Sequence, residues 1–235
     1  MSVSRTRTLV ATFTVLFAAV PLVSCSSAAP QERTITLTFI RHAESEANAN
    51  GVIDTAVPGP SLTPTGEQQA VAAASRLESN KYDGIYASEL ARTQQTAAPM
   101  SKALNEQVSV LPGLNEIPAG WFEGGKVDKA AITYMVAPAD WLRGYTSFSI
   151  PGSVSGADFN GKFTSAVQRI YDSGNNKPVA FSSAASIMVW TLMNARNAKN
   201  SLATDHPLPN TGRVVITGNP AIGWTLVDWD GITQF

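Results

Sequence analysis

The chain has one cysteine and two histidines in 235 residues. That is too few for a zinc ribbon, a disulfide scaffold or a three-histidine metal centre. Charge is scarce as well: charged residues make up 15%, and 17 Lys+Arg against 18 Asp+Glu leave a net charge of -1. With no basic excess to meet a phosphodiester backbone, nucleic acid is not an expected partner. The apolar run Leu9–Val23 falls short of the roughly 20 residues that a membrane-spanning helix needs. What the chain does have is 44% hydrophobic residues, enough for a sizeable core and incompatible with wholesale disorder. Its length suits one large domain or two small ones.

Arg5 and Arg7 precede the Leu9–Val23 run, which ends in Leu22-Val23-Ser24-Cys25. A basic start, a short apolar stretch and a small residue before the cut make a secretory signal. The last four residues also resemble the bacterial lipobox, in which the cysteine is acylated and becomes the first residue. Residues 1–24 are therefore expected to be a lipoprotein signal peptide. Residues 25–33 then form a polar tether carrying lipidated Cys25, with palmitate among its acyl groups, and 34–235 form the working domain. An ordinary signal with a chance cysteine is the alternative. On either reading the domain is exported; on the first it is held to the outer face of the cell membrane, away from cytosolic ATP and NADH. Chemistry that uses no such cofactor, and no metal, is expected.

Thr34–Ile40 alternates as a strand does. Thr63 and Pro64 are a helix N-cap and N1 pair, continued to Leu77. Strand patterns follow at 83–87, 108–111, 178–181, 214–217 and 224–229, and helix patterns at 91–104, 156–171 and 183–195. The last helix is apolar on nearly every side and should be buried. Strands alternating with helices predict an α/β three-layer sandwich around a mostly parallel sheet. The Gly-, Pro- and aromatic-rich stretch at about 117–155 breaks the rhythm. It reads as an inserted cap segment over one sheet edge, whose aromatics Trp121, Phe122, Tyr134, Trp141 and Phe148, with Met135, form either its own small core or a substrate wall.

Arg41-His42 stands just past the first strand, where open α/β sheets bind ligands. The stretch Arg41-His42-Ala43-Glu44-Ser45 resembles the Arg-His-Gly signature of the histidine phosphatase superfamily, the phosphoglycerate-mutase-like group. Leu62 to Ala70, Ile85 to Ala97, and Leu114-Asn115-Glu116-Ile117 through Glu123-Gly124 resemble its later blocks in order, as does Pro209-Asn210-Thr211. Among its subfamilies the chain is similar to actinobacterial lipoproteins of the LpqD type. The resemblance implies that His42 is a nucleophile forming a phosphohistidine, and that Arg41 and Arg92 grip phosphate with Asn48 as a further donor. It also implies that Glu116 protonates the leaving oxygen, which would need a raised pKa. The residue types suit this chemistry. A neutral imidazole attacks phosphate esters, two guanidiniums bind its oxygens bidentately, and a loose transition state asks mainly for charge and position. Taken one at a time, each of these residues is equally at home on an ordinary surface.

The resemblance breaks at Phe181-Ser182-Ser183-Ala184-Ala185. Ser183 stands where the family's second histidine belongs, and Ala43 replaces the glycine after His42. Three compensations are conceivable: Ser183 with open N–H groups at its helix start binding the anion, water in the vacated volume, or His206 swinging in. Arg143 and Lys126 are candidates for holding a second anionic group, or plain surface charge. The expected function is a lipid-anchored, metal-independent phosphomonoesterase of reduced power. The alternative is an inactive relative that binds a phosphate ester or other anion.

Overall fold

A computed structural model describes residues 33–235, with Met1 and Val3; Cys25 and the signal-peptide reading lie outside the described residues. Six strands form one sheet in the order β3-β2-β4-β1-β5-β6: β1 Ile35–Arg41, β2 Gly84–Ala87, β3 Val108–Val110, β4 Pro178–Ser182, β5 Arg213–Asn219 and β6 Gly223–Trp229. The first four in that order pair parallel, while β5 runs antiparallel to β1 and β6 antiparallel to β5. The sheet is thus mostly parallel, as the alternation of elements predicted. The helices are α1 Glu46–Ala49, α2 Pro64–Leu77, α3 Ala91–Leu104, α4 Val136–Trp141, α5 Gly156–Asp172, α6 Ala184–Asn194 and α7 Leu202–Asp205. The short α1, α4 and α7 carry too few turns to show a period in sequence.

The period of two along β1 sorts its side chains between two layers. Ile35, Leu37 and Phe39 enter the larger core, where Phe39 packs between Phe163 of α5 and Trp190 of α6 at 5.5 and 5.6 Å. Ile40 faces the other way, with Ile85, Val179 and Phe181, against Ala74, Leu77, Ala97 and Met100 of α2 and α3. Every residue of β4 is buried, as a central parallel strand requires. Helix α2 starts where its sequence said: Thr63 accepts a hydrogen bond from the Gly66 amide and Pro64 opens the first turn. A cap of this kind is worth about 1 kcal/mol.

The stretch 117–155 has no core of its own. Tyr134, Trp141 and Ile150 are buried in the larger core, with Phe122 and Met135 packed against it, and Trp141 stacks on Phe159 of α5 at 5.8 Å. Trp121 and Phe148 are exposed. A segment this short buries more apolar area against the ready-made α5 face than by folding on itself. No helix among the described residues is long and apolar enough to cross a membrane.

Candidate active site

Parallel pairing of β1, β4 and β2 brings their carboxyl ends together, and the residues just beyond those ends build the site. The His42 amide donates to the Ser182 carbonyl at 2.9 Å, which continues the ladder one step past β1. The Ala43 amide donates to Thr96 Oγ1 at 3.0 Å. The buried imidazole is thereby held from both sides. Its Nδ1 lies 2.7 Å from the Ala43 carbonyl, an acceptor only, so the proton sits on Nδ1 and Nε2 keeps its lone pair. Arg92 Nε donates to that Nε2 at 3.1 Å. Burial, and after it the Arg92 charge, hold the imidazole's pKa well below the ordinary histidine value, with Arg41 adding to the effect. His42 is neutral at physiological pH.

Two guanidiniums flank it. Arg92 lies in the first turn of α3, whose leading amide, Ala91, donates to the Pro58 carbonyl. Its Nη2 donates to the Asp54 carbonyl at 3.0 Å, and its Nη1 lies 3.7 Å from Asp54 Oδ1. Arg41 Nη1 donates to the Leu208 carbonyl at 2.7 Å. Burial lowers the pKa of both arginines, opposed in each case first by Glu116. A guanidinium keeps its charge in proteins. Arg41 Nε and Arg92 Nη1 are buried with no hydrogen-bond partner. Such donors are costly to leave unpaired. Burial also raises the Asp54 pKa, against the pull of Arg92.

Asn48 closes a third side. Ser45 and Asn48 form a capping box at α1, and Asn48 Oδ1 accepts from the Ser45 amide and from Asn210 Nδ2. Its carbonyl is thus engaged within the protein, and its amide N–H groups are the part left for a ligand. Asn210 Nδ2 also donates to the His42 carbonyl at 3.0 Å.

Glu116 sits at the start of α6. Its Oε1 accepts from the amides of Ile117 and Ser186, each at 2.9 Å, and from Ser186 Oγ at 2.8 Å; Oε2 has one long contact, 3.4 Å to the Ala185 amide. The Glu116 carboxylate thus takes up part of the α6 N-terminus that was expected to be open to an anion, while the Ala184 amide beside the cavity makes no hydrogen bond among the described residues. A carboxylate is as favourable there as a phosphate would be. Oε2 is the oxygen left to exchange a proton with a ligand. Ser183, the N-cap residue of α6, is fully buried, makes no side-chain capping bond, and leaves its Oγ without a partner. It is not among the side chains lining the cavity. His206 is exposed and off the cavity wall, so it does not supply the missing imidazole. Lys126 is likewise exposed and off the wall, and Arg143 pairs with Asp140 at 2.8 Å.

Arg41, His42, Asn48, Arg92 and Glu116 line one cavity of about 320 Å³. Sequence reading missed Asp54 on its wall and the two supports behind it. Glu123 accepts from the Thr55 amide at 2.7 Å and also from Thr55 Oγ1. Gly59, at φ +65°, lies so close to Arg92 that a Cβ there would stand 2.8 Å from Nη1. The one available signal was the Pro58-Gly59-Pro60 cluster, a turn mark in an otherwise unassigned loop. Among the described residues no three His, Cys, Asp or Glu side chains gather as metal ligands.

The sequence from residue 37 to residue 230 matches the histidine phosphatase superfamily (branch 1). The chain belongs to that superfamily. Among relatives of this histidine phosphatase superfamily member, PE-PGRS family protein PE_PGRS11 of Mycobacterium tuberculosis (strain ATCC 25618 / H37Rv) is 48% identical over 216 residues. That match covers 85% of this chain but only 37% of that relative. Phosphoserine phosphatase 1 of Hydrogenobacter thermophilus is 34% identical over 113 residues, 46% of this chain and 50% of that one. A mycobacterial glucosyl-3-phosphoglycerate phosphatase, solved as a complex with VO3, superposes with a TM-score of 0.68 at 18% identity. It covers 84% of this chain and 100% of that one, and so shares the fold.

Proposed function

We propose that this superfamily member is a metal-independent phosphomonoesterase acting through a phosphohistidine at His42. The observation that carries the reading is the neutral Nε2, bare of protons and set against the buried Arg92 and the half-buried Arg41 guanidinium. In the reaction so read, Nε2 gives up its Arg92 hydrogen bond and attacks phosphorus. Arg41 Nε, Arg92 Nη1 and the Asn48 amide take the phosphoryl oxygens. The P–O bond to the alcohol breaks as Glu116 Oε2, having taken up the proton that a phosphate monoanion carries in, passes it to the leaving oxygen. Water then attacks phosphorus, Glu116 accepts its proton, and Nε2 leaves with the electron pair of the N–P bond. Support for the phosphatase class comes from relatives such as phosphoserine phosphatase 1.

Turnover is slow in this proposal, because Ser183 brings no imidazole donor; losing one preorganised donor typically costs about 10²–10³ in rate. The enzyme works outside the cytoplasmic membrane, anchored by acylated Cys25, a reading supported by Leu22-Val23-Ser24-Cys25 behind a basic, apolar leader. The test is hydrolysis of phenyl phosphate with chelator present, beside His42→Ala. Turnover that survives the chelator and disappears with His42 is expected; equal rates in the two proteins would overturn the reading. Ser183 favours one second reading, a pocket that binds a phosphate ester without cleaving it. In that case wild type is inert and binding persists in part in His42→Ala.

A further inference from the structure

The cavity's lining divides by polarity. Beside the polar Arg41, His42, Asn48, Asp54, Arg92 and Glu116, it carries the apolar Val52, Ile53, Val127, Ala130, Met135 and Met188, with Tyr134. The Tyr134 hydroxyl donates to the Ile117 carbonyl at 2.6 Å. Burial, then the Glu116 charge, push its pKa well above the ordinary phenol value, so it adds no charge.

Counting donors decides what the organic part of a substrate meets. Among the described residues, the wall holds no lysine and no arginine beyond Arg41 and Arg92. Of their donors, Arg41 Nη1 goes to Leu208, Arg92 Nε to His42 and Nη2 to Asp54. That leaves Arg41 Nε and Nη2, and Arg92 Nη1 beside Asp54 Oδ1, and the phosphoryl group of the proposed reaction takes up both guanidiniums. A second anionic group would find no cation. It would find instead Asp54 and Glu116 on the wall, with Glu123 just behind Thr55. Lys126 and Lys129, on the segment that supplies Val127 and Ala130, are exposed and not part of the wall. A site discriminates as much by the unpaired charge it forces on a wrong ligand as by contacts with the right one. The volume, about 320 Å³, lies at the lower end of ligand pockets and suits a single ring or a short branched chain.

Resting on the phosphomonoesterase reading, we infer that the substrate is a small phosphomonoester whose organic group is neutral and apolar, an aryl or branched alkyl phosphate, and that carboxylated esters are selected against. The experiment compares kcat/KM of the full chain for phenyl phosphate and neopentyl phosphate with that for O-phosphoserine and 3-phosphoglycerate. The expected preference for the uncharged esters is at least about tenfold, the scale on which apolar pockets discriminate. Ala130→Lys places a cation on the apolar wall, outside the reacting group. It should raise kcat/KM for the carboxylated esters and narrow the ratio while phenyl phosphate is still cleaved. Ala203→Lys, on another part of the wall, makes the same test if the first variant folds poorly. Carboxylated esters cleaved as well as phenyl phosphate by wild type would overturn the inference and leave the phosphatase reading standing. If no ester is cleaved, the catalytic reading fails by itself, and calorimetric binding of phenyl phosphate against phosphoserine gives the preference. Equal or tighter phosphoserine binding, or no binding of either, then overturns the inference.

Discussion

At the residue scale the site turns on one proton. The Ala43 carbonyl holds it on Nδ1 of His42, and burial beside Arg92 and Arg41 keeps a second from joining it. The lone pair is kept free here by environment alone, since the same imidazole in water would be partly protonated near its ordinary pKa. Position 183 is the matching weakness. Ser182 pairs with Arg41 across the parallel ladder, so the next residue along flanks His42, and its hydroxyl is buried without a partner. Ser183→His is therefore expected to raise kcat for phenyl phosphate by up to about 10²-fold, within the worth of one preorganised donor. An unchanged kcat in a folded variant would separate position 183 from the phosphoryl group. Glu116 adds that one side chain can serve a helix and a reaction at once. Oε1 is engaged three times, twice by Ser186 of α6 and once by the Ile117 amide, while Oε2 has one long contact.

At the scale of elements, the loop between α1 and α2 does more than connect. Its backbone carbonyl at Asp54 and its glycine at 59 press on the Arg92 guanidinium, and Glu123 ties down Thr55 and Ala56. Gly59→Ala puts a Cβ 2.8 Å from Arg92 Nη1 and 2.9 Å from the Ala56 carbonyl, at a φ of +65°. Displacement of the guanidinium should lower kcat/KM by up to about 10²-fold, with a stability loss of about 1 kcal/mol or more. Gly51 is the control: its φ is +62° and nothing lies within 4 Å of its Cβ position. Gly51→Ala should destabilise through backbone strain yet leave kcat/KM nearly unchanged. Kinetics and chemical denaturation of the two variants check both. A Gly59 variant as active as the Gly51 variant would remove the loop from the positioning of Arg92.

For the whole molecule, the site's position follows from strand order. β4 lies between β2 and β1, so residues far apart in the chain, Arg41-His42, Arg92 and the α6 N-terminus, meet at one crevice. Folding must then bury a neutral histidine, and that couples stability to pH. His42 has a lowered pKa when folded and one near 6.5 when unfolded. Below about pH 6.5 the unfolded chain binds a proton that the folded chain refuses, so stability falls as pH falls. The slope from this one group is about 1.4 kcal/mol per pH unit until the folded pKa is reached. His42→Gln lacks it. Urea unfolding of the two proteins from pH 7 to pH 5 should show wild type losing stability faster, by a margin that steepens below about pH 6.5 toward that slope, and parallel lines would contradict a neutral buried His42.

Much of this architecture was legible in sequence because it is written in local periods. The alternation of β1, the Thr63-Pro64 start of α2 and the all-round apolar α6 each depend on neighbours within one turn or one pleat. The motif Arg41-His42 was legible for a related reason, since strand, guanidinium and imidazole are consecutive. What only the tertiary structure decided lies in contacts between distant segments. Three outcomes were of that kind: Glu116 taking the Ser186 amide at the α6 N-terminus, Asp54 and Gly59 setting Arg92, and Tyr134 and Trp141 joining the main core. None has a period, because a hydrogen bond or a packing contact across the fold depends on where two backbones pass each other. That passage is set by strand order, which no single segment encodes.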